Sequence, residues 1–218
     1  MSIPMITSYA LPGRTEVPSS APEWTPHPRR AALLIHDMQQ YFVDFFPSAE
    51  APIPAVIGHI AALRTAAVAA GMPVYYTAQP GGMTVEQRGL LRSFWGGGMS
   101  TDPGHRRVVS PLEPGPDDVV LTKWRYSAFV RSDLEHLLRD AGRDQLVICG
   151  VYAHLGCMLT AFDAFARDIE PFLVADAVAD FTRDEHLMAL DLVARRCGVV
   201  TTTDAVLAEL TADASVAP

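Results

Sequence analysis

Short apolar runs alternate along the chain with segments in which apolar residues recur every three or four positions. Apolar runs of this length are typical of strands buried in a parallel sheet, and the recurring spacing is typical of amphipathic helices. This alternation predicts an α/β fold in which helices cover both faces of a six-stranded parallel sheet, a three-layer sandwich. The predicted strands are 31–37, 73–79, 118–124, 145–150, 171–177 and 198–203.

Helical spacing predicts helices over 53–71 and 156–169. Two capping boxes of the form S/T-x-x-E mark further helix starts, Ser132 with Glu135 and Thr182 with Glu185. The prolines of residues 1–29 predict an extended arm that wraps the body, or a partly ordered tail. Residues 30–218 are expected to form a single domain, because the chain of 218 residues, 49% hydrophobic, suffices for one substantial core.

Composition narrows the choice of partners and compartment. The formal net charge of -8 disfavours nucleic acid and anionic membranes, but it allows a small anionic substrate held by a few local cations. No signal-peptide pattern opens the chain, and no apolar run approaches the roughly 20 residues of a membrane helix. The odd number of cysteines, three, favours reduced core thiols, so we expect a cytoplasmic protein.

Candidate chemistry follows from the positions at which the strands end. In parallel sheets the site lies at the carboxyl ends of the strands, where this chain places Asp37, Gln79, Lys123 and the turn 150–152. A carboxyl half withdrawn from water beside a lysine can act as a general acid or base, although Asp37 could equally cap a loop. Lys123 could be a surface lysine, and Arg88 a solvated helix charge.

Other motifs add little. The glycines at 96–98 could form the hinge of a mobile flap or an ordinary loop. The seven histidines have no spacing typical of a metal site, and neither G-x-G-x-x-G nor a P-loop occurs, so we expect no metal and no cofactor.

Four segments, 32–42, 74–80, 121–129 and 150–165, together resemble the isochorismatase family, part of a superfamily of cysteine hydrolases related to nicotinamidases. The resemblance runs from about residue 3 to residue 210. It implies a flavodoxin-like or Rossmann-like sandwich, in agreement with the alternation of strands and helices. It also implies a non-proline cis peptide between residues 151 and 152.

The resemblance places two members of the superfamily's catalytic triad on Asp37 and Lys123. The third member, a cysteine six residues after Gly150, is here Gly156. Cys157 follows, but one further residue of helix rotates a side chain by about 100°, so we expect its thiol to point away. The resemblance therefore implies an enzyme without a thiol nucleophile.

A vinyl ether needs no protein nucleophile. By resemblance, Asp37 would protonate the enolpyruvyl methylene of an isochorismate-type substrate, tuned by Lys123, and water would complete the release of pyruvate. Arg88 is the predicted carboxylate clamp, because its fork matches a carboxylate bidentately. The predicted substrate-binding residues are Gln79, Arg88, Tyr152, Gly156, Phe42, Trp95, Tyr126 and Phe129.

The resemblance leaves several alternatives. The substrate would be 2-amino-2-deoxyisochorismate, which segment 78–99 favours, or isochorismate, which segments 150–169 and 181–190 favour. The ring products would be dihydro-3-hydroxyanthranilate, used for phenazines, or 2,3-dihydro-2,3-dihydroxybenzoate, used for siderophores. Rival functions are a cysteine amidase, which lacks its thiol here, and a non-catalytic scaffold. Family analogy predicts a homodimer.

Overall fold

A computed structural model describes residues 3–214, with the side chains of residues 3–211. Six parallel strands form one sheet in the order β3-β2-β1-β4-β5-β6. The prediction of a six-stranded parallel sheet is confirmed. The strands are β1 (Ala31–His36), β2 (Val74–Ala78), β3 (Val119–Thr122), β4 (Gln145–Val151), β5 (Glu170–Ala179) and β6 (Val199–Thr201).

Helices cover both faces of this sheet. Among the described residues, none of them is long and apolar enough to cross a membrane. The helices are α1 (Gln40–Val43), α2 (Ile53–Ala69), α3 (Val85–Arg88), α4 (Leu91–Trp95), α5 (Pro103–Arg106), α6 (Leu134–Asp140), α7 (Met158–Phe165), α8 (Arg183–Arg196) and α9 (Thr203–Ala214), with a π-helical turn at Ala153–Cys157 before α7.

Each face of the sheet has its own apolar core. Side chains of α2 and α9, such as Ile60 and Val206, pack on one face, and side chains of α6, α7 and α8, such as Leu138 and Leu190, pack on the other. The strand order changes direction between β1 and β4, because β2 and β3 lie to one side of β1 and the later strands to the other. Ligands of open α/β sheets bind in the crevice at such a switch point.

One of the two predicted helix starts is confirmed and the other is wrong. Thr182 caps α8 as predicted, since its side chain accepts a hydrogen bond from the backbone of Glu185. The capping box at Ser132 is wrong, because α6 begins at Leu134 and the Ser132 hydroxyl donates instead to the carbonyl of Ala128. The helix predicted over 156–169 is shorter and begins with the π-helical turn, and α9 was not predicted.

The amino-terminal arm lies on the body of the protein. Ile6 is buried against the core, and its backbone donates a hydrogen bond to Phe45. The hydroxyl of Tyr9 accepts a hydrogen bond of 2.7 Å from the backbone N–H of Asp180 and lies 3.2 Å from His186 Nδ1. Because His186 Nε2 donates to the carbonyl of Ala175, Nδ1 accepts the hydroxyl proton of Tyr9.

We predict that Tyr9→Phe lowers the free energy of unfolding by about 1–3 kcal/mol, because it leaves a buried N–H and a buried imidazole nitrogen without partners. Urea denaturation of the variant and the parent protein measures the difference. Tyr41→Phe is the control, since the Tyr41 hydroxyl makes no hydrogen bond within the described chain. Equal stability of Tyr9→Phe and the parent protein would contradict the anchoring role of the arm.

Candidate active site

The carboxyl ends of four neighbouring strands meet around one cavity at the switch point. About 520 Å³ within it is filled by no protein atom, part of it open to solvent. Nine of the ten residues predicted for the site line this cavity, namely Asp37, Phe42, Gln79, Arg88, Trp95, Lys123, Tyr126, Tyr152 and Gly156. The cavity lining also contains His36, Tyr41, Arg125 and Phe181, which were not predicted.

Asp37 and Lys123 form a buried ion pair at the floor of the cavity. Lys123 Nζ lies 3.1 Å from Asp37 Oδ2, and the two side chains are only 4% and 8% exposed. Asp37 directly follows β1 with φ 50°, a left-handed conformation that turns its carboxyl toward β2. There the hydroxyl of Thr77 accepts a hydrogen bond from the Asp37 backbone N–H and donates one to Oδ1. Lys123 is therefore a buried site residue and not a surface lysine.

His36 is a fully buried imidazole beside this pair. Its Nδ1 lies 2.8 Å from the carbonyl oxygen of Val151, which makes Nδ1 the protonated nitrogen. Burial, followed by the positive charge of Lys123, lowers the pKa of His36 to about 4. His36 is therefore neutral at physiological pH. The sequence signal was a polar residue that ends an otherwise apolar strand.

The ring of His36 occupies the space above Gly156. A Cβ atom added at Gly156 would lie 2.0 Å from His36 Cε1, far closer than any real contact. The place that the superfamily's thiol would need is thus filled by an imidazole, and Gly156 is the residue that allows it. As the resemblance implied, the peptide between Val151 and Tyr152 is cis.

Arg88 is a buried cation, in contrast to the solvated helix charge considered from the sequence. Its side chain donates to Gln79 Oε1 at 3.1 Å and to the carbonyl of Gly96 at 3.2 Å, and no carboxylate among the described residues pairs with it. Burial lowers the pKa of this guanidinium below its ordinary value. A Cβ at Gly98 would lie 2.6 Å from Arg88 Cζ, so part of the glycine run makes room for Arg88.

Aromatic side chains wall the cavity. Trp95 donates from Nε1 to the hydroxyl of Tyr126 at 2.6 Å, and Tyr152 donates to the carbonyl of Phe42 at 2.8 Å. The ring of Phe181, which follows β5, contacts both Trp95 and Tyr152. These contacts hold the rings in position around the cavity.

Phe129 is a correction, because it does not line the cavity. It lies in the apolar core beneath α6 and α7, and the guanidinium of Arg167 stacks on its ring at 4.8 Å. The backbone N–H of Ala128 donates to Thr160 Oγ1, which draws this segment toward α7 and away from the site.

Cys157 lies in the same core as Phe129, fully buried and outside the cavity lining, as predicted. Burial raises the pKa of its thiol well above the ordinary value. A thiol in that environment stays protonated and is a poor nucleophile. The geometry therefore does not support thiol chemistry at Cys157.

Asp180 supports the turn that carries Tyr152 and Gly156. Its carboxylate accepts hydrogen bonds of 2.6 Å from both the backbone and Nδ1 of His154. With Glu185, these two side chains form a group whose polar atoms lie within 4.8 Å of one another. Burial opposes the charge of His154, but the hydrogen bond and charge of Asp180, together with Glu185, raise its pKa. This group stabilises the turn.

Known proteins resemble this chain over most of its length. The family model for the isochorismatase domain matches residues 31–205. The phenazine biosynthesis protein PhzD1 of Pseudomonas aeruginosa is 54% identical over 205 residues, which cover 94% of this chain and 98% of that protein. Enterobactin synthase component B of Escherichia coli is also 54% identical, over 95% of this chain and 73% of that protein.

A crystal structure of a cysteine hydrolase from Pseudomonas syringae pv. phaseolicola superimposes with a TM-score of 0.80 at 24% identity, covering 89% of this chain and 98% of that one. At this identity the likeness shows a shared fold. The predicted fold class is therefore confirmed both by the strand order and by a solved structure.

We predict that Gly156→Ala lowers stability by about 1–3 kcal/mol, because its methyl group overlaps the His36 ring. Denaturation of Gly156→Ala, His36→Ala and the double variant measures the coupling between the positions. The double variant should be more stable than the sum of the two single effects, since the methyl then enters the space left by the ring. Strict additivity would contradict the contact.

We predict that the stabilising contribution of His154 depends on pH. Because its pKa is raised in the folded protein, the contribution is fully present below the unfolded value near 6.5 and is lost as pH rises through the folded value. The Tm difference between the parent protein and His154→Gln should therefore be larger at pH 6 than at pH 9. His136→Gln, on the exposed side of α6, is the control, and a pH-independent difference at His154 would contradict the charged contact.

Proposed function

The chain belongs to the isochorismatase family, and we propose that it is a hydrolase that cleaves the enolpyruvyl ether of isochorismate or of 2-amino-2-deoxyisochorismate. The observation that carries the proposal is the buried pair of Asp37 and Lys123 on a cavity floor where His36 fills the place of a thiol. Hydrolysis of a vinyl ether requires an acid and no protein nucleophile. Asp37 is the acid available in this site.

The reaction follows from this arrangement. Asp37, in its protonated form, gives its proton to the methylene carbon, and the π electrons of the double bond form the new C–H bond. The ether oxygen stabilises the resulting oxocarbenium ion, and Lys123 stabilises the carboxylate left on Asp37. Water then adds to the cation and returns a proton to Asp37. The hemiketal then collapses: its hydroxyl proton passes to the ether oxygen as the bond between that oxygen and the pyruvate carbon breaks, and pyruvate and a ring alcohol leave.

The charges of the cavity fit such a substrate. Among the described residues, its lining holds three cations, Arg88, Lys123 and Arg125, and one carboxyl group, Asp37, so positive charge prevails in the cavity of a chain of net charge -8. Isochorismate and its amino analogue each bring two carboxylates, which balance this charge. Arg88, buried without a carboxylate of its own, is the clamp for one of them.

The proposal covers two substrates that differ in one ring substituent, a hydroxyl group in isochorismate and an amine in its amino analogue. Relatives named for phenazine and for enterobactin biosynthesis share the same 54% identity with this chain, so identity does not choose between the pathways. The amino substrate remains the sequence-based preference. The homodimer and the cytoplasmic location also remain predictions from sequence.

The assay that tests the proposal is pyruvate release, coupled to NADH oxidation by lactate dehydrogenase, with each substrate in parallel. Pyruvate from at least one substrate is the expected result, and a large ratio of the two kcat/KM values identifies the physiological one. Absence of pyruvate from both would overturn the proposal in favour of a non-catalytic scaffold.

We predict that Asp37→Asn lowers kcat by about 10²–10⁴-fold, because an amide is no acid while its shape is nearly unchanged. Binding of the substrate, measured by calorimetry with the inactive variant, should persist. Asp176→Asn is the control, since Asp176 is a carboxylate outside the cavity lining that accepts from Thr203. A wild-type kcat for Asp37→Asn would rule out Asp37 as the acid.

A further inference from the structure

Thr77 is a buried polar residue in the otherwise apolar part of β2. It is 1% exposed, lies outside the cavity lining and pairs in register with His36 of β1. It therefore cannot touch a substrate in the cavity. Its hydroxyl nevertheless contacts Asp37, the proposed acid, twice.

The two contacts form a closed loop of hydrogen bonds. Thr77 Oγ1 accepts from the backbone N–H of Asp37 at 3.0 Å and lies 2.5 Å from Asp37 Oδ1. A threonine hydroxyl carries one proton, and Oδ1 is the acceptor that lies closest to it. The hydroxyl proton of Thr77 is therefore donated to Oδ1. The loop holds both the backbone and the carboxyl of a residue whose φ of 50° lies in the left-handed region, which is uncommon for residues other than glycine.

The same contact makes the two carboxyl oxygens of Asp37 different. Oδ1 accepts the Thr77 proton, so the proton of the acid form belongs on the other oxygen. Oδ2 lies 3.1 Å from Lys123 Nζ and 3.7 Å from His36 Nδ1, and His36 is a neutral donor already bonded to Val151. Lys123 is therefore placed to stabilise negative charge on the oxygen from which the proton departs.

We propose that Thr77 is a positioning residue that orients the Asp37 carboxyl and leaves Oδ2 as the oxygen that delivers the proton to the substrate. The inference rests on the proposed function, because it concerns the acid step of that reaction. Loss of the hydroxyl frees the carboxyl to rotate and lets the proton occupy either oxygen. The chemical step should then slow while substrate binding, which depends on Arg88 and its neighbours, is retained.

Three variants at this position separate the hydroxyl from the volume of the side chain. Thr77→Ser keeps the hydroxyl, Thr77→Ala loses it together with the methyl, and Thr77→Val loses it while keeping the volume. We expect Thr77→Ala and Thr77→Val to lower kcat by about 10–100-fold, since a small misplacement of a catalytic group has effects of this size. Their KM should change by less than about 3-fold, and Thr77→Ser should restore kcat to near the wild-type value.

Thr203→Val is the matched control. Thr203 is also a buried threonine whose hydroxyl donates to a carboxylate, Asp176, at 2.8 Å, and neither residue lines the cavity. It should lose stability without losing kcat. Should Thr77→Val not fold, the Ser and Ala variants still differ by a single hydroxyl and decide the matter.

The outcomes distinguish the inference from the proposed function. If the parent protein releases pyruvate but Thr77→Ala and Thr77→Ser have the same kcat, whether both are near the wild-type value or both are lowered, the hydroxyl is irrelevant. The positioning role is then overturned and the function stands. If the parent protein releases no pyruvate, the proposed function itself has failed.

Discussion

The buried contact between Asp37 and Lys123 is the constraint on which the site depends. Removing one partner from such a pair strands a charge in the interior, at a cost of about 3–5 kcal/mol. The pair joins residues that follow β1 and β3, and β2 lies between those strands, so all three strand ends must align. Lys123 is also the only lysine among the 17 basic residues of the chain, where every other cation is arginine. An ammonium is a compact point charge that can approach one carboxyl oxygen, whereas a guanidinium fork spans two.

The neighbours of this pair divide the remaining tasks. His36 is neutral, so it fills the space beside the pair without adding a charge that would compete for the proton. In the proposed reaction Arg88 and Arg125 provide positive charge toward the substrate, and the aromatic rings around Tyr152 wall the cavity. The Asp180 and His154 contact holds the turn in register with them. The proposed acid chemistry, the proposed anion binding and the packing of the cavity wall thus rest on different side chains around one pair.

Much of this arrangement could be predicted from the sequence. Apolar runs that end in polar residues located the strands and, with the rule for parallel sheets, brought Asp37, Gln79 and Lys123 to one edge. The roles of His36 and Thr77 could not be predicted, because they arise from contacts between β1, β2 and β4 that no local pattern encodes. Phe129 was misplaced for the same reason. Its ring packs in the apolar core with the guanidinium of Arg167 stacked on it, a contact between residues that are distant in sequence.

In the proposed reaction the protein breaks the ether by protonating carbon, with water adding on the pyruvate side. Hydrolysis in water enriched in ¹⁸O, followed by mass spectrometry of the ring product, shows which of the two bonds to the ether oxygen breaks. We expect the new ring hydroxyl to retain the oxygen of the substrate ether and to carry no ¹⁸O. Incorporation of ¹⁸O into that hydroxyl would show that the bond between ring carbon and ether oxygen breaks instead, and would contradict the role given to Asp37.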